Sequence, residues 1–371
     1  MTTPTPPHLP PNSLVLVTGA NGLIASHAAD QLLAAGYRVR GTVRSATRCA
    51  YLSTLFAARH HHGGPDRFEL VEIPDVSVPG AWDAAVRGVS GIAHVLGALD
   101  LAVQDADAAA AEELPWHIGL LEAAVREGDG KVKAVVFTSS AWAAWTPDGG
   151  KQVRLTGESW NEEAVALARD RGVDGKRKEF AGFMAFKTLV EKGVWEWVRL
   201  NKPPFAFNTL LLDTVIGECL DPVNQGIPST AGMVQWVWEN AHVDVLNMMQ
   251  PQWFVDCRDA GRLYVALLAT TPVVDGERIY GFGERYTFFR VAEILKKLYP
   301  EHADKMAKVK DLGWDQTEVP NEMGAELLAR LGQQGGWRTL EESVKENAES
   351  WLKLGTSTGV TDHQHAQFGK Q

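Results

Sequence analysis

The stretch SLVLVTGANGLIASHAADQLLAAGYRVRGTVR, Ser13 to Arg44, decides how this chain folds. Leu14 to Val17 is an apolar run of strand length without polar alternation, which predicts a mid-sheet strand covered on both faces. Gly19 and Gly22 follow at once. Ile24, Ala28 and Leu32 then fall on one helical face until Gly36, a helix stop. Arg38 to Arg44 reads as a second strand. Strand, glycine turn, helix and strand within about thirty residues is the order that a dinucleotide-binding turn requires, although the third small position is Ala25. The helix N-terminus points bare N–H groups and the positive end of its dipole at the space above the first strand, and a glycine there lets a pyrophosphate approach the main chain. The predicted fold class is α/β: a Rossmann-type doubly wound parallel sheet with a smaller mixed C-terminal substrate-binding region.

The second strand also selects the cofactor. An NAD site places an acid at its end to hold the ribose 2′-hydroxyl, yet Arg38 to Ala50 contains no Asp or Glu and carries Arg38, Arg40, Arg44 and Arg48. Arg44, backed by Ser45 and Arg48, suits a 2′-phosphate and predicts NADP(H); the competing reading is a solvated basic edge.

A chain of 371 residues can bury a large core, and 45% hydrophobic with 22% charged residues is ordinary for a globular protein. No apolar run approaches the roughly 20 residues that span a membrane. The start, MTTPTPPHLPPN, is Pro-rich with neither basic flank nor apolar core, so residues 1–12 are expected to form a loose arm, not a signal peptide. Cys49, Cys219 and Cys257 have no metal-ligand spacing, which predicts reduced thiols, a cytoplasmic location and no metal. A net charge of −10 argues against nucleic-acid or anionic-membrane partners. The expected partner is a small apolar substrate, with the chain a monomer or homodimer.

Further along, Arg48 to His60 reads as a helix, Arg67 to Ile73 as the third strand, Ser90 to Gly97 as the fourth, Glu112 to Glu127 as a helix and Lys133 to Ser139 as the fifth strand. Asp75 and Val76 fall at the C-terminal end of the third strand, the edge where ligands bind in open α/β sheets. His94 lies within a strand and reads as a packed residue. The His60, His61, His62 run precedes Gly63, Gly64 and Pro65 and reads as a loop. A polar connector from Asp148 to Lys178 leads to a helix from Phe180 to Leu200, and Phe205 to Leu212 reads as strand six. Residues 13–214 thus form the cofactor-binding domain, with 140–178 as a substrate-side connector. Residues 215–355 form mainly a substrate-binding lid with segments returning to the sheet, and 356–371 a disordered tail.

This order of parts resembles an extended short-chain dehydrogenase/reductase, specifically the NADPH-dependent aldehyde and ketone reductase branch that includes the dihydroflavonol reductases. The likeness is carried by LVLVTGANGLIASH, GTVRS, VVFTSS, ESWN, KTLVEK, RIYG and KKLYP. It implies that Gly19, Asn21, Gly22, Leu23 and Ile24 hold the pyrophosphate, that Arg44, with Arg48, holds the 2′-phosphate, that Asp75 and Val76 contact adenine, and that Ser140 is the carbonyl-binding hydroxyl. It also places Leu96 beside the cofactor. The family's catalytic pair, a Tyr four residues before a Lys, is here Phe183 and Lys187. A neighbouring ammonium lowers the phenol's pKa so that it can protonate an alkoxide; Phe keeps the ring and loses the proton. Lys187 retains its role toward the nicotinamide ribose. Phe183 is either an engineered replacement in an ordinary carbonyl reductase or native to a repurposed site. Departures at Leu96, Gly97 and Ala98, at Phe186 and at Leu212 and Asp213 favour the second.

Asp213 is the most informative departure. At the end of strand six a carboxylate repels a developing alkoxide and attracts a cation, so the site suits a C=N, imine or iminium carbon as well as a C=O carbon; the competing reading is a helix cap. Trp142 and Trp145, with Trp116, Trp236, Trp238, Trp253 and Phe186, are candidates for an apolar substrate pocket, or for core packing. The function expected is an NADP(H)-dependent oxidoreductase acting on a bulky apolar molecule, with Ser140, Lys187, Asp213 and Phe183 at the centre. The alternatives are a non-redox cyclase or isomerase using the cofactor as scaffold, and a non-catalytic NADP(H)-responsive binding protein.

Overall fold

The computed structural model describes residues 8–60, 67–170, 172 and 180–354. Its strands are β1 (Leu14–Val17), β2 (Arg38–Val43), β3 (Phe68–Glu72), β4 (Gly91–His94), β5 (Ala134–Ser140), β6 (Ala206–Leu212), β7 (Thr214–Ile216), β8 (Gln252–Asp256), β9 (Arg278–Gly281) and β10 (Glu284–Tyr286). The helices are α1 (Leu23–Ala34), α2 (Tyr51–Arg59), α3 (Asp83–Val86), α4 (Ala106–Arg126), α5 (Glu162–Arg169), α6 (Ala181–Asn201), α7 (Pro222–Gln225), α8 (Thr230–Glu239), α9 (Val243–Met248), α10 (Cys257–Ala269), α11 (Phe288–Leu298), α12 (Glu322–Arg330) and α13 (Leu340–Leu352).

Seven strands form one sheet in the order β3-β2-β1-β4-β5-β6-β9, and every pairing is parallel. The order reverses between β1 and β4, the switch point at which α/β sheets bind ligands. Leu14 to Val17 and all of β6 are buried, as the unbroken apolar runs predict. Helix α1 ends where Gly36 (φ +93°) takes up a left-handed turn. A second sheet, β10-β8-β7, is mixed: β10 runs antiparallel to β8, and β7 parallel to it.

Several expectations need correction. Residues 8–12 are not loose: Leu9 is fully buried, its carbonyl accepts from Tyr37 Oη, and His8 N bonds to Ala269 O at 2.9 Å. The rest of the arm, His61 and His62, part of the connector and the tail from 355 lie outside the described residues. Strand β4 stops at His94 because Thr18 Oγ1 takes the next two N–H groups, Val95 at 2.9 Å and Leu96 at 3.0 Å. Helix α4 starts at Ala106, well before Glu112, capped by Asp105 through Ala108 N, and it runs through Pro115, which lies on its exposed side. The connector contains α5, capped by Asn161. Strands β7, β8, β9 and β10 are not read from the sequence, because their short runs are not set apart from the helices and turns around them by any period. The C-terminal part divides: β9 joins the main sheet and α10 packs on α1, while β7, β8, β10, α8, α11 and α13 form the second layer. Among the described residues no helix is long and apolar enough to cross a membrane, and Cys49, Cys219 and Cys257 are free and buried.

Candidate active site

The cofactor end is built by β1 and α1. Gly19 sits at φ +67°, a conformation that glycine adopts without strain, and a Cβ there would lie 3.5 Å from the Leu96 side chain. Helix α1 has no side chain capping its first turn and no acid within it, so its N-terminal N–H groups and dipole are left for an anion. Gly19, Asn21, Gly22, Leu23, Ile24 and Leu96 therefore share one cradle that fits a dinucleotide pyrophosphate. Asn21 is fixed further by Gln225 Nε2, which donates to its carbonyl at 3.1 Å.

At the end of β2, Arg44 and Arg48 are exposed, and the Arg44 charge helps hold the Asp75 carboxyl below its usual range, after the larger effect of two hydrogen bonds from Ser77. Those bonds run from Ser77 Oγ at 2.6 Å and Ser77 N at 2.8 Å. Arg40 leaves the basic cluster: it spends its guanidinium on Glu69 and on the Ala85 and Arg87 carbonyls. One acid that the sequence reading missed reaches this loop from the neighbouring strand, Glu72, which accepts the Ala46 N–H at 2.7 Å.

Ser140 and Leu212 are partners across β5 and β6, so Ser140 and Asp213 stand at adjacent strand ends. Ser140 Oγ accepts the Trp142 N–H at 3.2 Å. Asp213 is no helix cap, because strand β7 follows it. Its Oδ1 accepts Thr214 N at 2.8 Å and its Oδ2 accepts Trp253 N at 3.0 Å, stitching β6 to β8. Burial pushes its carboxyl well above the usual carboxylate range, nearby Asp315 adds to the shift, and the two N–H bonds offset only part of it.

Helix α6 carries Phe183, Phe186 and Lys187 to this edge. It is anchored one turn later by Glu191, which is fully buried and accepts Ser139 Oγ of β5 at 2.7 Å, Thr209 Oγ1 of β6 at 2.9 Å and Arg278 of β9 at 2.8 and 3.0 Å. Arg278 also bonds the Gly157 and Ser159 carbonyls and stacks 3.8 Å from the Trp160 ring, which gives ESWN and RIYG their structural purpose. Phe183 is buried, its ring 5.9 Å from Trp142, and the Lys187 ammonium lies 5.6 Å from the Phe183 ring and 4.7 Å from that of Phe186. Lys187 Nζ is 3.4 Å from Glu113 Oε1 of α4, and a Cβ on Gly97 would touch both groups. The departures at Phe183, Phe186 and Gly97 thus converge on one ammonium. Glu113 and its partner His117 were missed, although their spacing of four residues puts them on one helix face.

The tryptophans do not form one pocket. Trp142 belongs to the site: it packs on Phe183 and Phe180 and donates Nε1–H to Gln252 at 2.9 Å. Trp145 is buried nearby, and its Nε1 has no partner among the described residues. Trp116 is tied instead to Trp82, which donates to its carbonyl. Trp238 packs on Tyr299, His302 and Trp351, and Trp236 on His242, within the second layer. Trp253 donates Nε1–H to Asp315 and lies under Arg285. His94 is a packed residue, as expected. Among the described residues no group of His, Cys, Asp and Glu is placed to hold a metal ion.

A parallel sheet with a bare helix N-terminus at its switch point, and a Lys one helix turn from an aromatic ring beside a strand-end Ser, defines the class of extended short-chain dehydrogenase/reductases. Residues 15–163 match the NAD dependent epimerase/dehydratase family. The chain is 33% identical over 339 residues to Aldehyde reductase 2 of Sporidiobolus salmonicolor, covering 91% of this chain and 96% of the relative. It is 35% identical over 340 residues to Ketoreductase adrE of Penicillium roqueforti, with the same coverage. Among solved structures, Gre2 of Candida albicans in complex with NADPH superposes with a TM-score of 0.74 over 93% of this chain and 100% of that one, at 22% identity. The protein belongs to the NAD dependent epimerase/dehydratase family, and it is a nicotinamide-dinucleotide-dependent enzyme of the oxidoreductase type.

Proposed function

We propose that the protein is an NADP(H)-dependent reductase of a bulky apolar carbonyl compound, working without the Tyr acid of its family. The observation that carries the reading is that Ser140 and Asp213 stand at adjacent strand ends, while the Phe183 ring lies 5.9 Å from that of Trp142 and 5.6 Å from the Lys187 ammonium. The likeness to an aldehyde reductase and a ketoreductase over nine-tenths of the chain supports it. Gly19, Gly22 and the first turn of α1 hold the pyrophosphate, Arg44 and Arg48 the 2′-phosphate, and Asp75 and Val76 the adenine. When bound, NADPH supplies hydride to the carbonyl carbon. Ser140 donates its hydroxyl hydrogen to the carbonyl oxygen, and the Lys187 ammonium stabilises negative charge developing there. Burial raises the Asp213 carboxyl above the usual carboxylate range, which favours its protonated form, and in this reading it gives that proton to the alkoxide oxygen in place of a phenol. Trp142 and Phe183 present apolar surface to the substrate, with the buried Phe186 packed against Phe183.

A C=N substrate held as a cation needs Asp213 ionised. Burial works against that charge, so the C=O class is the one proposed.

The test follows NADPH absorbance with a panel of aldehydes and ketones, NADH as control, and mass spectrometry of the products. One alcohol formed per NADPH consumed supports the reading. Conversion without consumption replaces it with an isomerase or cyclase, and NADPH binding with neither replaces it with a binding protein.

A further inference from the structure

A buried polar line runs from the cofactor turn to Lys187. Thr18 Oγ1 lies 2.9 Å from His94 Nδ1, His94 Nε2 lies 2.8 Å from His117 Nδ1, His117 Nε2 lies 3.0 Å from Glu113 Oε1, and that oxygen is 3.4 Å from Lys187 Nζ. We propose that Glu113 is the positioning residue for Lys187, and that the line Thr18–His94–His117 exists to keep its carboxylate ionised and aimed at the ammonium. This deepens the reductase reading, since it assumes that Lys187 serves cofactor and substrate.

The direction of every hydrogen bond follows from one end. Thr18 Oγ1 already accepts two backbone N–H groups, from Val95 and Leu96, which occupy both lone pairs. Its own hydrogen must then go to His94 Nδ1. That fixes His94 with hydrogen on Nε2, which donates to His117 Nδ1, and so fixes His117 with hydrogen on Nε2, which donates to Glu113. The remaining Glu113 oxygen, Oε2, accepts Ala98 N at 2.8 Å. No step leaves room for a protonated Glu113: all its near neighbours are donors.

The electrostatics agree. Burial drives both imidazoles toward the neutral form, His94 strongly and His117 with Glu113 opposing part of the shift. Burial works to raise the Glu113 carboxyl, but the His117 bond, the Lys187 charge and the Ala98 N–H outweigh it and hold it below its usual range. Burial lowers Lys187, and the Glu113 charge restores part of the loss. The groups facing the ammonium are Glu113 and His117 from α4, the Phe183 and Phe186 rings of its own helix, and Gly97, so Glu113 is the anion among them. At 3.4 Å the pair uses one of three ammonium hydrogens, leaving two for other acceptors.

The experiment uses the full chain and needs no turnover, so its failure is separable from that of the reductase reading. Nitrogen NMR of histidine-labelled protein should show His94 and His117 neutral with hydrogen on Nε2 across neutral pH; a charged ring or hydrogen on Nδ1 at either residue overturns the proposal. Competitive labelling of Lys187 by acetic anhydride, read by peptide mass spectrometry, should rise about tenfold at neutral pH in Glu113→Gln, equivalent to about one unit lost from the amine pKa. Labelling equal to the parent overturns it. If Glu113→Gln does not fold, the Glu113→Gln/Lys187→Met pair decides: recovered folding supports an ammonium left without its anion, and no recovery assigns Glu113 to structure alone.

Discussion

The backbone N–H of Trp253 reaches Oδ2 of Asp213 at 3.0 Å, so the carboxyl that ends β6 is held by the neighbouring sheet. Burial keeps that carboxyl protonated well above the usual carboxylate range. The sign of its pH dependence follows: an acid raised in the folded state lends stability that is complete below its unfolded pKa and is lost as pH rises through the folded value. Reduction that depends on its proton should fall over that same upper range. Asp213→Asn should lower carbonyl turnover by about 10²- to 10⁴-fold and flatten the alkaline limb of the pH profile. A variant as fast as the parent, with the same profile, would remove Asp213 from proton delivery.

Phe183→Tyr puts a hydroxyl on a ring whose centroid is 5.6 Å from the Lys187 ammonium. The variant should raise turnover of simple ketones by on the order of 10²-fold, because a phenol beside an ammonium is an efficient proton donor at neutral pH. Steady-state NADPH oxidation measures it. Rapid ketone reduction by the parent, unimproved in the variant, would mean that the ring position does not limit proton transfer.

Arg44 stands exposed at the end of β2, with Asp75 close enough to feel its charge, and Glu72 of the neighbouring strand is engaged by Ala46 N. Arg44→Glu should weaken NADP(H) binding by about 10- to 100-fold, the value of one or two charge-assisted bonds, with a far smaller effect on NAD(H). Calorimetric titration of both cofactors decides it; parallel losses would assign Arg44 to neither phosphate.

Arg278 and Glu191 form a buried ion pair that fixes the helix bearing Lys187 onto β5, β6 and β9. Arg278→Met should cost about 3–5 kcal/mol of stability by leaving Glu191 charged and unpaired. Adding Glu191→Met should recover much of it. Urea midpoints measure both, and a single variant as stable as the parent would show that the pair carries no such weight.

Six of the seven main-sheet strands, the glycine turn and the basic loop were legible in the sequence, because each is local: an apolar run, glycines at set spacing, and Arg44 and Arg48 just past a strand end. The sequence also placed Phe183 one helical turn before Lys187, since four residues along a helix bring side chains to one face. What surrounds that pair was decided only in three dimensions. Glu113 lies 74 residues from Lys187, and Trp253 lies 40 from Asp213. No period or spacing in the chain relates them; the packing of α4 on α6 and the pairing of β7 with β8 do. Tertiary structure also shifted the titration of Asp213 upward, because a carboxyl titrates according to the water removed around it, and burial is a property of the folded chain.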